Sequence, residues 1–223
     1  MRMMNLPHSL SLWALLALVG LACLSCKQGS SKRGFAGALP SASSTQTSGG
    51  GTTSSSGSSA TTATGWTGAP PIRWIPADPS NYSARASRTI DLIIIHTIEG
   101  SEAGCISWFQ NPSANVSAHY VVSHAGRITQ MLQDKDIGWH AGNWSYNERS
   151  LGIENEGYAG RNDWTQTQYE HLAWLTSHLC DTHGIPKDRQ HIIGHHEVPN
   201  QTHWDPGPSF DWAKFMDLVQ NGP

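Results

Sequence analysis

Metal-capable side chains are concentrated near the end of this 223-residue chain. The stretch GHHEVPNQTHWDPGP holds three histidines, His195, His196 and His203, together with Glu197 and Asp205. Imidazole and carboxylate groups are common zinc ligands in proteins. A His-Glu-x-x-His metal helix is excluded, because a proline interrupts the segment and the second histidine of that motif is missing. Any metal site here must therefore use another arrangement.

A three-ligand site needs one more residue from elsewhere in the chain. The apolar run RTIDLIIIHT ends near His96, which is well placed to join a histidine of the later segment and Asp205. The Pro-Gly-Pro turn that follows Asp205 restrains it, as suits a ligand. Two histidines and one carboxylate are a catalytic zinc set, because they leave one coordination position open. The alternative is that these histidines are surface-loop residues and that the aspartate caps a turn.

The elements around these residues predict strands interleaved with helices. The run before His96 is nearly continuous in β-branched and apolar residues, which is typical of a strand covered on both faces. Alternation in RSLGIENEGY puts Glu154 and Glu156 on one strand face. The segment VSAHYVVSHAGRITQML indicates two strands joined at Ala125 and Gly126, and QHIIGH indicates a short buried segment. We predict the α/β class, as a single domain with a central mixed β-sheet covered by helices.

Three helices are predicted between or after these strands. In SEAGCISWFQN, Ser101 is a suitable N-cap and Glu102 favours the first turn. The longest helix is predicted in DWTQTQYEHLAWLTSHLCDTHG, where leucines recur at helical spacing and Gly184 is a suitable C-cap. The segment DWAKFMDLVQ predicts a closing amphipathic helix.

The amino-terminal part of the chain has a different composition. Residues 1–26 combine an early arginine with an apolar run too short for a membrane span, which predicts a secretory signal peptide. We predict the lipoprotein type, with a lipid on Cys26 or alternatively Cys23; a plain cleaved signal and an uncleaved anchor are the other readings. Residues 27–69, rich in Ser, Thr and Gly, predict a disordered tether. Residues 70–223 are then the globular domain, exported across the inner membrane and held at the cell envelope by its lipid.

The composition bears on nucleic-acid binding, on the state of the cysteines and on the role of the tryptophans. The net charge is −3 and Lys and Arg are not clustered, so no nucleic-acid surface is expected. We expect a monomer. Cys105 and Cys180 either pair in an oxidising compartment or remain buried thiols, and their spacing does not choose between these states. The ten tryptophans are expected to pack in the core, or in part to line a cleft that binds sugar rings.

Four motifs in order resemble those of one enzyme family. They are IDLIIIHTIEGS, VSAHYVVSHAGRITQML, GWHAGNWSYNERSLGIENEG and GHHEVPNQTHWDPGPSFDW. Together they are similar to the zinc-dependent N-acetylmuramoyl-L-alanine amidases, which include phage amidase-lysozymes and peptidoglycan-recognition proteins. The resemblance extends over residues 87–212. It implies hydrolysis of the amide between the lactyl group of N-acetylmuramic acid and L-alanine of the peptidoglycan stem peptide. The alternative is a non-catalytic peptidoglycan-binding module, which usually lacks a zinc ligand.

The resemblance also assigns the chemistry to residues. The implied Zn²⁺ ligands are His96, His195 and Asp205. It excludes His196 and His203 as ligands. Glu154 takes the position of the catalytic acid, which would move a proton from water to the leaving amine. His203 takes a position, lysine in some relatives, that steadies the developing oxyanion.

Further residues are assigned to the substrate cleft or to structure. The resemblance implies that Trp139, His140 and Asn143 bind substrate, although a structural role is the alternative for His140. For Glu156 we predict a structural carboxylate that accepts hydrogen bonds. For His119 we predict a packed histidine, or one that supports a ligand, rather than a ligand itself. His124 is expected to be an ordinary strand-end residue.

Overall fold

The computed structural model describes residues 68–86, 89–200 and 202–223. The signal peptide predicted for residues 1–26, with its lipidated cysteine, lies outside the described residues, as does nearly all of the tether predicted for 27–69. Within the described ranges, no helix has the length and apolar character needed to cross a membrane.

A six-stranded mixed β-sheet forms the centre of the domain, as predicted. Its spatial order is β1 (Ile72–Trp74), β5 (Ile128–Gln130), β4 (Tyr120–Val122), β7 (Ser150–Asn155), β3 (Leu92–Thr97) and β8 (Ile192–Gly194). Neighbouring strands run parallel, except for the antiparallel pair β4–β5, which is the predicted hairpin. A separate antiparallel pair joins β2 (Tyr82–Ala84) to β6 (Asp136–Gly138).

Helices cover both faces of this sheet. On one face, α3 (Gln166–His183) and α4 (Trp212–Asn221) pack on the inward side chains of β3 and β7. On the other face, α1 (Glu102–Phe109) packs over β4. All six residues of β3 are buried, which confirms the strand covered on both faces. Each aliphatic side chain buried there contributes about 1.5–3 kcal/mol to stability.

The helix ends follow the predicted capping residues. The Ser101 side chain accepts a hydrogen bond from the Gly104 amide at the start of α1. At the end of α3, Gly184 has φ of 69°, a left-handed conformation that glycine adopts without strain. The thiols of Cys105 and Cys180 lie in two different apolar clusters rather than in a disulfide with each other.

Candidate active site

Three parallel strands bring the predicted site residues to one edge of the sheet. His96 is the penultimate residue of β3 and lies opposite Glu154 of β7 in the strand register. His195 directly follows β8, on the other side of β3. The carboxyl ends of parallel strands share one edge, where α/β proteins usually bind ligands. Residues remote in sequence therefore meet there.

His96, His195 and Asp205 form a buried cluster at this edge. Each offers a ligand atom, and these atoms all lie within 4.8 Å of one another. The His96 Nδ1 lies 3.4 Å from Asp205 Oδ2, and the His195 Nδ1 lies 3.0 Å from Asp205 Oδ1. Ligands at about 2.0–2.1 Å from a tetrahedral zinc are themselves about 3.4 Å apart, so this donor set fits the ion. The described ranges contain no second cluster of three or more such groups.

The protonation states of this cluster also suit a metal. Burial, and then the neighbouring His195, lower the pKa of His96 to about 4. Burial alone would raise the pKa of Asp205, but hydrogen bonds from His195 and His96 outweigh it and hold that pKa below its usual value. At neutral pH, His96 is therefore neutral and Asp205 ionised. These are the forms that bind metal ions.

The loop that carries Asp205 is tied to the end of β3. The Thr97 amide donates to Asp205 Oδ2 at 3.3 Å, and the Thr97 hydroxyl donates to the Pro206 carbonyl at 3.3 Å. Gly207 has φ of 90°, and a Cβ on it would lie 2.1 Å from the Ala159 carbonyl oxygen, so glycine is required there. These contacts restrain Asp205, as the Pro-Gly-Pro turn predicted.

His196 lies beside the cluster without facing its carboxylate. Its backbone amide donates to the Asp205 carbonyl oxygen at 3.1 Å, and its Nδ1 lies 3.1 Å from the same atom. The side chain is exposed. His196 therefore contacts the backbone of the loop rather than the cluster of ligand atoms.

A chain of hydrogen bonds supports the ring of His96. His96 Nε2 lies 3.0 Å from His140 Nδ1, and His140 Nε2 lies 3.4 Å from the Ser150 hydroxyl oxygen. That hydroxyl donates to the Tyr146 carbonyl at 2.6 Å. A metal bound through Nδ1 of His96 would leave the ring proton on Nε2, and each ring in the chain would then donate to the next group. Such outer contacts orient a metal-binding histidine.

Gly152 provides the space that His140 needs to reach His96. A Cβ at Gly152 would lie 2.6 Å from the His140 ring. We expect Gly152→Ala to displace that ring and to weaken zinc binding about 10–100-fold, since loss of an outer contact typically has this effect. Competition with a chromogenic chelator measures the affinity. Gly100→Ala is the matched control, because its new methyl meets only Ile98 Cγ2 at 3.7 Å. Wild-type zinc affinity in Gly152→Ala would contradict the assigned support.

His119 is buried nearby, but protein atoms use both of its ring nitrogens. Its Nδ1 accepts from the Gly152 amide at 3.1 Å, and its Nε2 donates to the Asp136 carbonyl at 3.1 Å. Burial lowers the pKa of His119 to about 4. The packed, non-ligand role predicted for His119 is confirmed.

The side-chain carboxyl group of Glu154 has one oxygen that forms no hydrogen bond with the described residues. Its Oε2 is buried and has no hydrogen-bond partner among the described residues. Burial, followed by the nearby Asp205 and Glu99, raises the pKa of Glu154 to about 8. Such a group exchanges protons near neutral pH. Glu154 is thus chemically suited to proton transfer.

Both carboxylate oxygens of Glu156, two residues further along the chain, accept hydrogen bonds from backbone amides. Its Oε1 accepts from the Glu102 amide at 3.2 Å and its Oε2 accepts from the His124 amide at 2.9 Å. These contacts attach the start of α1 and the β4–β5 turn to the end of β7. The predicted structural role of Glu156 is confirmed.

His203 stacks against the metal-capable cluster. Its ring centroid lies 4.4 Å from that of His195, at an interplanar angle of 21°. Its Nδ1 lies 3.7 Å from Asp205 Oδ1. The side chain is half-buried, and burial, followed by His195, lowers its pKa. His203 is therefore near the cluster without belonging to it.

A cavity of about 800 Å³ opens over these groups. The cluster, Glu154 and His203 lie in its wall, and α1 forms one side through residues that include Trp108 and Phe109. Trp139 and His140, two of the predicted substrate contacts, also line it.

Asn143, the third predicted substrate contact, lies elsewhere. It is not among the described residues that line the cavity. Its side chain accepts from the Ser145 amide at 3.1 Å and so caps the short helix α2 (Trp144–Asn147). A substrate contact for Asn143, like those for Trp139 and His140, stays a prediction.

Among the cavity-wall residues that were not singled out from the sequence are two exposed aromatic side chains. Tyr158 follows β7 and Trp204 precedes Asp205. The sequence signal that could have identified Trp204 is its position next to Asp205, a predicted metal ligand.

Comparisons with known proteins bear on the same part of the chain. A family model described as N-acetylmuramoyl-L-alanine amidase matches residues 86–208. N-acetylmuramoyl-L-alanine amidase A of Achromobacter lyticus is 38% identical over 168 residues, which are 67% of this chain and 93% of that protein. The 1,6-anhydro-N-acetylmuramyl-L-alanine amidase AmpD of Escherichia coli K12 is 37% identical over 110 residues, which are 47% of this chain and 58% of that protein.

Solved structures share the fold. A selenomethionine derivative of AmpD superposes with a TM-score of 0.58 at 31% identity, over 70% of this chain and 97% of that one. The E. coli amidase AmiD, in complex with anhydro-N-acetylmuramic acid-L-Ala-D-γ-Glu-L-Lys, superposes with a TM-score of 0.51 at 23% identity. That match covers 61% of this chain and 59% of AmiD, and at this identity it indicates likeness of fold.

Proposed function

Because this chain belongs to the N-acetylmuramoyl-L-alanine amidase family, we propose that it hydrolyses the amide between the lactyl group of N-acetylmuramic acid and L-alanine of the peptidoglycan stem peptide. The observation that carries this proposal is the buried His96, His195 and Asp205 cluster beside Glu154, inside one cavity. A binding-only module does not need a complete ligand set with an unpaired buried carboxylate oxygen next to it. The enzyme is therefore favoured over the recognition module.

The three clustered residues are assigned as ligands of one zinc ion. Two imidazoles and a carboxylate are a ligand set of catalytic zinc, and their separations suit tetrahedral coordination. Zinc held there supplies a Lewis acid that polarises the scissile carbonyl and acidifies the attacking water. The other residues of the chain hold these ligands in fixed orientations. His140 orients the His96 ring, and Thr97 holds the Asp205 carboxylate.

Glu154 is assigned as the group that moves the proton. Its unpaired Oε2 accepts a proton from the attacking water and then delivers it to the amide nitrogen, so that L-alanine leaves with a free amine. The raised pKa of about 8 means that the ionised fraction of Glu154, which captures the proton, grows as the pH rises toward 8. General acid–base catalysis of this kind contributes about 10²–10⁴-fold to a rate.

His203 is assigned to the oxygen of the scissile carbonyl, where negative charge develops as water attacks. It lines the cavity and stacks on His195, so its ring is held beside the reacting group. A ring N–H donated to that oxygen stabilises the transition state more than the ground state. Loss of one such donor typically lowers kcat about 10²–10³-fold.

A muropeptide is the proposed substrate. The related AmiD binds an anhydro-N-acetylmuramic acid tripeptide. A cavity of about 800 Å³ lies within the range of sites for ligands of that size, about 300–1,000 Å³. Trp139 and His140 are the predicted contacts that lie in its wall.

Mass spectrometry of the products from purified peptidoglycan tests the function. We expect intact stem peptides with a free L-alanine amine and glycan strands that keep their lactyl groups. Treatment with a zinc chelator should stop product release, and added zinc should restore it. Cleavage at another bond, or binding to peptidoglycan without products, would overturn the amidase proposal. Undiminished cleavage after verified removal of zinc would overturn the metal assignment alone.

A further inference from the structure

Exposed aromatic rings stand at the mouth of the cavity. The described residues include five large apolar side chains that are well exposed, and two of them, Tyr158 and Trp204, line the cavity. Trp204 is 55% exposed and Tyr158 is 36% exposed. Large exposed aromatic side chains next to a polar site commonly mark a surface that a ligand covers.

Both rings are held in place by their surroundings. A Cβ on Gly160 would lie 3.5 Å from Trp204 Cη2, so one edge of the indole rests over this glycine. The Trp204 carbonyl accepts from the Gly207 amide at 3.1 Å, within the restrained loop. The guanidinium of Arg161 covers one face of Tyr158, 4.0 Å from the ring centroid. Rings held in advance lose little conformational entropy when a ligand binds.

Another part of the cavity lining is of a different kind. It is formed in part by Cys105 and Phe109 of α1 and by Val116, all of which are buried. The cavity lining therefore includes buried apolar side chains as well as the two exposed aromatic rings.

The sugar side of the scissile amide suits the exposed aromatic rings. The sugar belongs to a glycan strand that continues in both directions, so it needs an open rim. A pyranose ring also presents a face of C–H groups, which packs on a flat aromatic ring. We propose that Trp204, with Tyr158 at the same rim, stacks on a pyranose ring of the glycan and so makes the enzyme selective for sugar-bearing substrates.

This inference rests on the proposed amidase function, and a matched pair of substrates tests it. Both carry the peptide L-Ala-D-γ-Glu-L-Lys, one on a N-acetylglucosaminyl-N-acetylmuramic acid disaccharide and the other on a D-lactyl group alone. We expect Trp204→Ala to lower the ratio of kcat/KM for the disaccharide to kcat/KM for the lactyl peptide about tenfold, equivalent to about 1.4 kcal/mol. Trp204→Phe, which keeps a flat ring, should recover most of that ratio.

The matched control is Trp144→Ala. Trp144 is 52% exposed, nearly as much as Trp204, and is not among the described residues that line the cavity. It should keep the wild-type ratio. Because Trp204 adjoins Asp205, zinc content is measured in every variant, and Trp204→Leu retains apolar bulk without a flat ring.

The outcomes separate the two proposals. If wild-type enzyme cleaves neither substrate at the lactyl amide, the amidase function itself fails. If it cleaves the substrates but zinc-loaded Trp204→Ala and Trp204→Leu keep the wild-type ratio, the sugar-stacking role alone is wrong. An equal loss of ratio in Trp144→Ala would also overturn that role, since the effect would then not belong to the cavity rim.

Discussion

His195→Ala should bind no zinc at equimolar concentration and should lose at least about 10³-fold in peptidoglycan hydrolysis. The physical reason is that His195 is one of the three proposed protein ligands, and its Nδ1 lies 3.0 Å from the carboxylate of Asp205, another of them. Lewis-acid polarisation contributes several kcal/mol to such reactions, and each 1.36 kcal/mol is tenfold in rate. Zinc content by plasma mass spectrometry is the primary measurement.

Thermal unfolding gives a second readout that does not depend on activity. Zinc at 100 times its Kd stabilises a protein that binds it only when folded by about 2.7 kcal/mol. Wild-type protein should therefore show a raised Tm in zinc, and His195→Ala should not. His196→Ala is the matched control, because the His196 side chain contacts the backbone carbonyl oxygen of Asp205 rather than its carboxylate, so zinc content should stay at wild-type stoichiometry. Equal zinc loss in both variants would contradict the assignment of His195.

Glu154→Gln should retain zinc and lower kcat by about 10²–10⁴-fold, the usual contribution of a general acid–base group. Glutamine has nearly the same shape as glutamate but cannot take up the proton of the attacking water. The Oε2 of Glu154 has no hydrogen-bond partner among the described residues, so the substitution breaks no structural contact at that atom. Single-turnover hydrolysis of a muropeptide, with zinc content measured in parallel, checks the prediction.

Glu156→Gln is the control for this substitution. Glu156 uses both carboxylate oxygens to accept backbone amides, at 3.2 and 2.9 Å. Glutamine can keep only one of these contacts, so we expect lower thermal stability with kcat within a few-fold of wild type. If Glu154→Gln turned over like wild type, or if the two variants lost kcat equally, Glu154 would not be the proton-transfer group.

The sequence alone was sufficient to predict the helices and strands that have a long apolar pattern or a distinctive capping residue. The apolar run of β3, the leucines and C-cap glycine of α3, and the Ser101 cap of α1 were all predicted and are found. Each has either a burial pattern sustained over six or more residues or a side chain that a helix end requires. The three metal-capable residues were predicted by family resemblance, and the fold brings them within 4.8 Å.

Other features depend on tertiary contacts that no local pattern reports. Strands β1, β2 and β6 have three residues each and α2 has four, which is too short for a periodicity to be read. The approach of His140 to His96 depends on Gly152, which lies on a different strand from His96. A glycine inside a strand often accompanies a close approach of another group, but only the fold identifies the ring that fills the space at Gly152.

The bond from the Thr97 amide to Asp205 joins residues 108 positions apart, and this spacing affects how the enzyme is made. A ribosome translates β3 long before it reaches Asp205, so a chain that ends earlier lacks one of the three proposed zinc ligands. Contacts of such long range also form late, because closing the intervening loop has an entropic cost. We therefore expect hydrolysis of peptidoglycan to require the complete chain through Asp205.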